Sequence, residues 1–272
     1  SALDSRATRT FVTGAPTPGM QITEDDGVRT VTFDRPDAMN AVSHGIAREL
    51  ADEIERADPD ELDALVLTGE GRAFSAGGDV QAMADREETA RESYESMRDS
   101  FGRVAEAAIE SSVPLVAKVN GDAVGAGLAL VAVSDFAVAA ESARFGAAFV
   151  KVGLVPDTGG TFLLPQLVGL RTAKELAMTG KLVDAQEAAS MGLVNDCVPD
   201  DDLDSAVADL LDTLRARPTR TLGLIKQALH GNVTRQWDEA LDYEAMLQSQ
   251  AYDSPEHEEG VAAFREKRDP EF

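Results

Sequence analysis

The spacing of apolar residues in the first half of the chain predicts strands and helices in alternation. The segment QITEDDGVRTVTFD has a strand pattern on each side of an Asp-Asp-Gly turn, which indicates a β-hairpin. In the next segment Ile46, Leu50 and Ile54 recur at helical spacing, and Ser43 is the predicted N-cap. Residues 85–110 are charged and predicted to be helical. Continuous apolar runs, typical of strands buried on both faces, are DALVLTG, VPLVAKVNG and FAVAA.

After about residue 170 the apolar spacing becomes helical almost throughout. Strands first and helices later predict an α/β body that carries a helical C-terminal region. On this pattern the chain divides into a polar leader at 1–18, an α/β core at 19–200 and a helical region at 201–272.

Composition narrows the class of protein. Hydrophobic residues make up 43% of the 272 residues, which suits a globular chain. No apolar run reaches the roughly 18–20 residues of a membrane helix, and no signal-peptide pattern opens the chain. The single cysteine, Cys197, has no partner for an internal disulfide and is expected to pack in the core. We therefore expect a cytoplasmic protein with no membrane partner.

The net charge of −24 comes from 49 acidic residues spread along the chain against 25 Lys and Arg. High solubility is one explanation. We favour another, a salt-loving source with molar internal salt, where a screening length of about 3 Å removes the self-repulsion. In either case the acidic surface repels nucleic acid, which argues against an RNA- or DNA-binding role.

Two glycine-rich loops follow predicted strands, at Gly71–Asp79 and Asn120–Asp135. Open α/β sheets place ligands at such strand ends, and small residues expose backbone N–H groups there. If one N–H from each loop points at the same spot, the pair forms an oxyanion hole. The alternative is two ordinary strand-to-helix turns. A nucleotide site is disfavoured because neither G-x-G-x-x-G with a downstream acid nor GK[ST] is present.

Several motifs occur together in an order that resembles the enoyl-CoA hydratase/isomerase (crotonase) family: RAFSAGGDV, VNGDAVGAGLAL, FGAAFVKVGLVPDTGGTFLLPQLVG and the closing EEGVAAFREKRDPEF. The resemblance implies a spiral of ββα units followed by a helical trimerisation region, and a homotrimer or hexamer. It also implies an acyl-CoA thioester substrate, with coenzyme A as part of the substrate and no separate cofactor. By position, the backbone N–H groups that hold the thioester oxygen belong to Gly78 and Ala126.

Two departures from the family pattern bear on the reaction. Hydratases of the family carry two glutamates, and the matching positions here are Ala129 and Phe149. Neither residue can move a proton, whereas addition of water usually needs one group to activate the water and one to protonate carbon. The resemblance is strongest to the ring-isomerising epoxyphenylacetyl-CoA isomerase branch, which shares GLVPD.GG..LLP and LIKQA.

Asp157, in PDTGG, has two interpretations. Asp before Thr-Gly-Gly suits an N-cap or turn, but in relatives with Asp here and no paired glutamates it is the catalytic carboxylate. We favour a double-bond or epoxide-ring isomerase with Asp157 as general base, its pKa raised by Val155, Pro156 and Phe149. Alternatives are a hydratase, an enzyme with Asp157 as nucleophile on an aryl-CoA, and a non-catalytic crotonase-fold scaffold or RNA-binding protein.

Other residues receive lesser roles. The resemblance places Ala76, Gly78, Asp79, Val80, Gln81, Ala126, Phe149 and Lys267 at the substrate. Asp79 is also a candidate helix cap. Lys267 has two interpretations: it reaches a CoA phosphate, in some family members across a subunit boundary, or it is simply solvated. Trp237 is expected in the core or at a subunit contact. His44, His230 and His257 are far apart in sequence, so we predict no metal site.

Overall fold

The computed structural model describes residues 18–84 and 87–272, apart from the side chains of residues 81 and 82. The predicted leader therefore lies outside the described residues except for Pro18. The strands are β1 Met20–Asp25, β2 Val28–Phe33, β3 Ala64–Gly69, β4 Ala73–Ser75, β5 Leu115–Val119, β6 Asp122–Val124, β7 Phe136–Ala140, β8 Arg144–Gly146, β9 Val183–Asp184 and β10 Asp196–Val198.

Strands and helices alternate along the chain up to β10, and after it the regular elements are helices, which is close to the predicted order. The helices are α1 His44–Glu55, α2 Val80–Ala84, α3 Ala90–Met97, α4 Arg103–Glu110, α5 Ala126–Val133, α6 Gly160–Thr179, α7 Ala185–Ser190, α8 Leu203–Arg215, α9 Thr219–Asn232, α10 Trp237–Tyr252 and α11 Pro255–Glu266. The prediction of helix from residue 85 is wrong at its start, since residues 87–89 are not helical and Thr89 caps α3.

The larger sheet has the strand order β1-β2-β3-β5-β7-β10. The predicted hairpin is confirmed, because β1 and β2 pair antiparallel around Asp26 and Gly27. From β2 onward the strands are parallel. Every residue of β3 is buried, as expected for a continuous apolar run covered on both faces.

A second sheet consists of short strands in the order β4-β6-β8-β9. Each of β3, β5 and β7 is followed by a short strand, β4, β6 or β8, and then by helical residues. This repeated order of long strand, short strand and helix gives the predicted ββα architecture. It also places the two glycine-rich loops side by side, because β4 pairs with β6.

The C-terminal quarter is helical from α8 to α11, as predicted. Trp237 is 77% exposed at the start of α10, so its predicted place in the core is wrong, while a subunit contact stays a prediction. Cys197 lies in the unpredicted strand β10 and is partly buried against the core. Among the described residues, no helix has the length and apolarity needed to cross a membrane.

Candidate active site

The two glycine-rich loops are in direct contact. A Cβ placed on Gly125 would lie 3.6 Å from the Cα of Gly77, and a Cβ on Gly77 would lie only 2.8 Å from the carbonyl oxygen of Val124. Gly77 has φ +106° and Gly125 has φ +57°, a region of backbone conformation that favours glycine. The glycines are therefore required for the close approach of the two loops.

Two asparagines, one buried and one half-buried, fix the shape of the first loop. Asn40 is 1% exposed and donates to the carbonyl oxygens of Glu70 and Ala73 at 2.9 and 2.7 Å. Asn120, at the end of β5, accepts from the Gly69 N–H at 3.0 Å and donates to the Gly71 carbonyl at 2.9 Å. Side-chain amides thus satisfy backbone groups that a glycine-rich loop leaves without partners.

The backbone N–H groups of Gly78 and Ala126 differ from those of the residues before them. Gly77 N–H donates to Ser75 Oγ at 3.2 Å, and Gly125 N–H donates to the Gly146 carbonyl at 2.8 Å. Within the described residues, neither Gly78 N–H nor Ala126 N–H has an acceptor. Ala126 is the first residue of α5, where a helix leaves N–H groups unpaired.

These loops form one wall of a cavity of about 980 Å³ with a largely apolar lining. Its lining includes most of the residues predicted at the substrate: Ala76, Gly78, Asp79, Val80, Ala126, Phe149 and Asp157. Two predicted residues stand apart. Gln81 lies in α2, but its side chain is outside the described residues, and Lys267 follows α11 and does not line the cavity within the described part of this chain.

Asp157 is a cavity residue and does not cap a helix. The N-cap of α6 is Gly159, with no side-chain cap, so the N-cap interpretation of Asp157 is wrong. Thr158 and Gly159 both adopt left-handed backbone conformations, with φ +51° and +76°, which delays the helix to Gly160. The Asp157 carbonyl accepts from Gly160 N–H at 2.7 Å, a turn that leaves the carboxylate at the cavity.

Burial raises the pKa of the Asp157 carboxyl above its ordinary value. The hydroxyl of Thr158 donates to Oδ1 at 2.9 Å, and this bond, a backbone hydrogen bond and the charge of His44 oppose the rise. Desolvation is the largest of these effects, so the net direction is upward, as the sequence predicted.

The remaining acidic residues in the described lining are in different surroundings. Asp79 Oδ2 accepts from Arg35 Nη1 at 2.9 Å, an ion pair that stabilises the first loop. Glu87 and Glu88 are exposed. The two positions that the family resemblance matches to the hydratase glutamates are apolar: Ala129 is buried in α5, and Phe149 is 8% exposed and lines the cavity.

The structure adds a residue to the cavity that sequence reasoning set aside. His44, the first residue of α1, lines the cavity with Asp157. Its Nδ1 lies 2.7 Å from Ser100 Oγ, and its ring meets the Phe101 ring edge to face at 5.4 Å. The sequence signal was a lone histidine directly after the Ser43 N-cap. In the described residues no group of three or more His, Cys, Asp or Glu is placed to hold a metal ion.

Known proteins resemble this chain in sequence and in fold. The family model for enoyl-CoA hydratase/isomerase matches residues 23–272. A protein from Rhodobacter capsulatus named "Probable enoyl-CoA hydratase" is 38% identical over 91% of this chain and 95% of its own length. The 1,2-epoxyphenylacetyl-CoA isomerase of Escherichia coli is 36% identical over the same shares. The crystal structure of an enoyl-CoA hydratase from Mycobacterium smegmatis superposes with a TM-score of 0.86 at 33% identity, covering 94% of this chain and 99% of that one.

Proposed function

This chain belongs to the enoyl-CoA hydratase/isomerase family and has the crotonase fold, and on that premise we propose that it is an acyl-CoA isomerase whose general base is Asp157. The observation that carries this proposal is the lining of the cavity. A half-buried carboxylate with a raised pKa is present, and the two positions that hold glutamates in hydratases are alanine and phenylalanine.

The thioester carbonyl oxygen is held by the N–H groups of Gly78 and Ala126. Both residues line the cavity, and both N–H groups lack an acceptor within the described residues. When a proton leaves the acyl chain, negative charge collects on this oxygen as an enolate forms. A preorganised donor at such a position typically stabilises the transition state by about 2.7–4 kcal/mol.

Asp157 moves the proton. Its carboxylate takes a proton from one carbon of the acyl chain, and the electron pair of the broken C–H bond enters the enolate. Return of a proton to a different carbon then shifts the double bond, with no gain or loss of atoms. Burial favours this role because it brings the pKa of the carboxyl closer to the working pH.

The acyl group occupies the apolar part of the cavity. The walls there are formed by Met83, Met97, Phe101, Phe149 and Leu154. A wall of this kind suits an unsaturated or aromatic-derived acyl chain, including one with an epoxide ring, and coenzyme A is part of the substrate. The similarity to 1,2-epoxyphenylacetyl-CoA isomerase supports this class of substrate.

A hydratase is the second candidate, and the name of the Rhodobacter capsulatus relative favours it. Hydration would require a group other than the two missing glutamates to activate water.

We further propose a cytoplasmic homotrimer or hexamer. Its support is the large apolar side chains exposed on the C-terminal helices, such as Leu229, Trp237 and Phe264.

The test is an NMR time course in deuterated buffer at about molar KCl, with an enoyl-CoA whose double bond can migrate. A shifted double bond with deuterium incorporated would support an isomerase. A 3-hydroxyacyl product would support the hydratase instead. If the purified protein neither converts an acyl-CoA nor gains melting temperature in its presence, the proposal of an acyl-CoA enzyme is wrong, because a ligand of the native state must raise that temperature.

A further inference from the structure

The hydrogen-bonding of Ser100 determines which atom of His44 carries a hydrogen. Ser100 Oγ lies 2.6 Å from the carbonyl oxygen of Ser96, which can only accept. A hydroxyl has one hydrogen, so Ser100 donates to Ser96 and must accept from His44 Nδ1, 2.7 Å away. His44 therefore carries a hydrogen on Nδ1, and Nε2 is the ring atom that gains or loses a proton.

The contact between His44 and Ser100 involves a buried residue in an unusual helical turn. Ser100 is fully buried and lies in a π-helical turn, Arg98–Gly102, between α3 and α4. Such turns occur often at functional sites because they redirect side chains within a helix. Phe101, in the same turn, packs against the His44 ring from another side. The ring is thus held by two consecutive residues that lie 56 and 57 positions away in sequence.

His44 and Asp157 act on one another across the cavity. Both line it, and the charge of His44 lowers the pKa of Asp157 against the larger effect of burial. The same cavity contains the N–H groups of Gly78 and Ala126. An acid–base group, a carboxylate and the two donors therefore surround one space with otherwise mainly apolar walls.

We propose that His44 is a second proton-transferring residue of this site, held by Ser100 so that Nε2 exchanges protons with the substrate while Asp157 serves the other carbon. The inference rests on the proposed function, because it assigns a residue to the same acyl-CoA reaction. With Asp157 alone, one carboxylate would have to exchange protons with both carbons of the acyl chain. With His44 as a second group, each group exchanges a proton with one carbon.

The protons balance in this scheme. The Asp157 carboxylate takes a proton from the first carbon, and the electron pair of that C–H bond enters the enolate. The imidazolium of His44 gives its Nε2 proton to the second carbon, which forms the new C–H bond with a pair from the enolate system. Release of the proton from the Asp157 carboxyl to solvent and uptake of a solvent proton by His44 Nε2 restore the starting state. Nδ1 keeps its hydrogen throughout, so the Ser100 bond is compatible with every step.

The first experiment compares His44→Asn with His257→Asn. The asparagine amide can still donate to Ser100 but has no group at the position of Nε2. His257 packs on Tyr252 in the helical region and does not line the cavity, which makes it the matched control. We expect kcat of His44→Asn to fall by about 100-fold or more, with little change in the Kd of a saturated acyl-CoA, and kcat of His257→Asn to stay near that of the wild type.

Chemical rescue separates proton transfer from a structural role. We expect added imidazole to restore part of the kcat of His44→Ala and none of that of Asp157→Asn. Ser100→Ala keeps the imidazole but loses its acceptor, so we expect a smaller fall, about tenfold or less, as for one hydrogen bond. A fall in thermal stability without rescue would indicate a structural role for His44 and would overturn the proposal.

Isotope transfer tests the division of labour directly. The substrate is an enoyl-CoA with deuterium at the carbon that loses its proton, converted in ordinary water and analysed by mass spectrometry. With two groups the deuterium goes to the solvent and does not reach the second carbon. Deuterium found on the second carbon of the product would mean that one group serves both carbons, which would overturn the role of His44.

These outcomes are distinct from failure of the proposed function. If the wild type isomerises enoyl-CoA, Asp157→Asn is inactive and His44→Asn matches the wild type, only the role of His44 is wrong. If the wild type neither binds nor converts any acyl-CoA, both proposals are wrong.

Discussion

Lys226 Nζ lies 2.6 Å from Asp135 Oδ2, and the two side chains are only 7% and 14% exposed. The same carboxylate oxygen accepts from the N–H of Leu115, the first residue of β5, at 2.8 Å. This pair therefore connects α9 of the helical region to the strand that leads into the second glycine-rich loop. The helical region is joined to the core by a nearly buried charge pair.

Lys226→Met should lower the free energy of unfolding by about 3–5 kcal/mol, because it leaves the Asp135 carboxylate buried without its cation. Lys181→Met is the matched control. Lys181 is 34% exposed and pairs with Glu175 and Glu187, so its loss should change stability by about 1 kcal/mol or less. Denaturant unfolding of both variants measures the difference. Equal effects would mean that the Lys226 pair contributes no more than a surface pair.

Asp157→Asn should reduce kcat by at least about 100-fold, because an amide cannot accept the proton that leaves carbon. The Kd for a saturated acyl-CoA should change little, since the donors Gly78 and Ala126 remain. Steady-state kinetics and calorimetric titration measure the two quantities. Glu141→Gln removes a remote, exposed carboxylate and serves as the control. Near-normal turnover in Asp157→Asn would remove Asp157 from the mechanism.

Asp157 should also make stability depend on pH. Its pKa is raised in the folded protein above the ordinary 3.8, so the folded state binds this proton more tightly than the unfolded state. The contribution to stability is complete below about pH 3.8 and is lost as pH rises through the raised pKa. Asparagine loses no proton, so the Tm of Asp157→Asn relative to the wild type should increase with pH across this window. Calorimetry at a series of pH values tests it, and a constant difference would contradict it.

Gly77→Ala should harm both stability and activity. Its Cβ would lie 2.8 Å from the Val124 carbonyl oxygen, at φ +106°, so the two loops would have to separate. Gly153 also has positive φ, +74°, but open space around its Cβ, and Gly153→Ala should cost only about 1–2 kcal/mol of backbone strain. Thermal unfolding and kcat/KM of the two variants separate strain from loop contact. An active, stable Gly77→Ala would show that the loops tolerate separation.

The affinity for acyl-CoA should rise when KCl is first added. Coenzyme A is an anion, the chain carries a net charge of −24, and Glu87 and Glu88 are exposed at the cavity. Salt shortens the range of repulsion from about 10 Å at 0.1 M to about 3 Å at 1 M. In the double variant Glu87→Gln and Glu88→Gln, we expect tighter binding at low salt and a weaker response to KCl. Binding that only weakens as KCl is added would contradict this.

Local patterns were sufficient to predict most of the elements. The alternation on each side of Asp26 and Gly27 produced the hairpin, and Ser43 caps α1 by accepting from Ile46 N–H at 3.2 Å. These features depend on residues within a few positions of one another. The short strands of two or three residues went unpredicted, because so few residues have no detectable period; they are β4, β6, β8, β9 and β10.

Two features of the site could not be predicted from local sequence patterns. Asp157 fits an N-cap by residue type, yet the left-handed conformations of Thr158 and Gly159 move the helix start away from it. The contact of His44 with Ser100 joins residues 56 positions apart. No local pattern encodes such a pair, because only the packing of α1 against the π-helical turn brings the two side chains together.

The π-helical turn at Arg98–Gly102 also suggests a route by which the cavity wall can change between related chains. It amounts to one residue added to an otherwise continuous α-helix. Deleting that residue would rotate α3 by about 100° relative to α4, which would change the direction of α3 side chains that line the cavity, such as Tyr94. Gain or loss of a single codon here would therefore replace one set of wall residues by another.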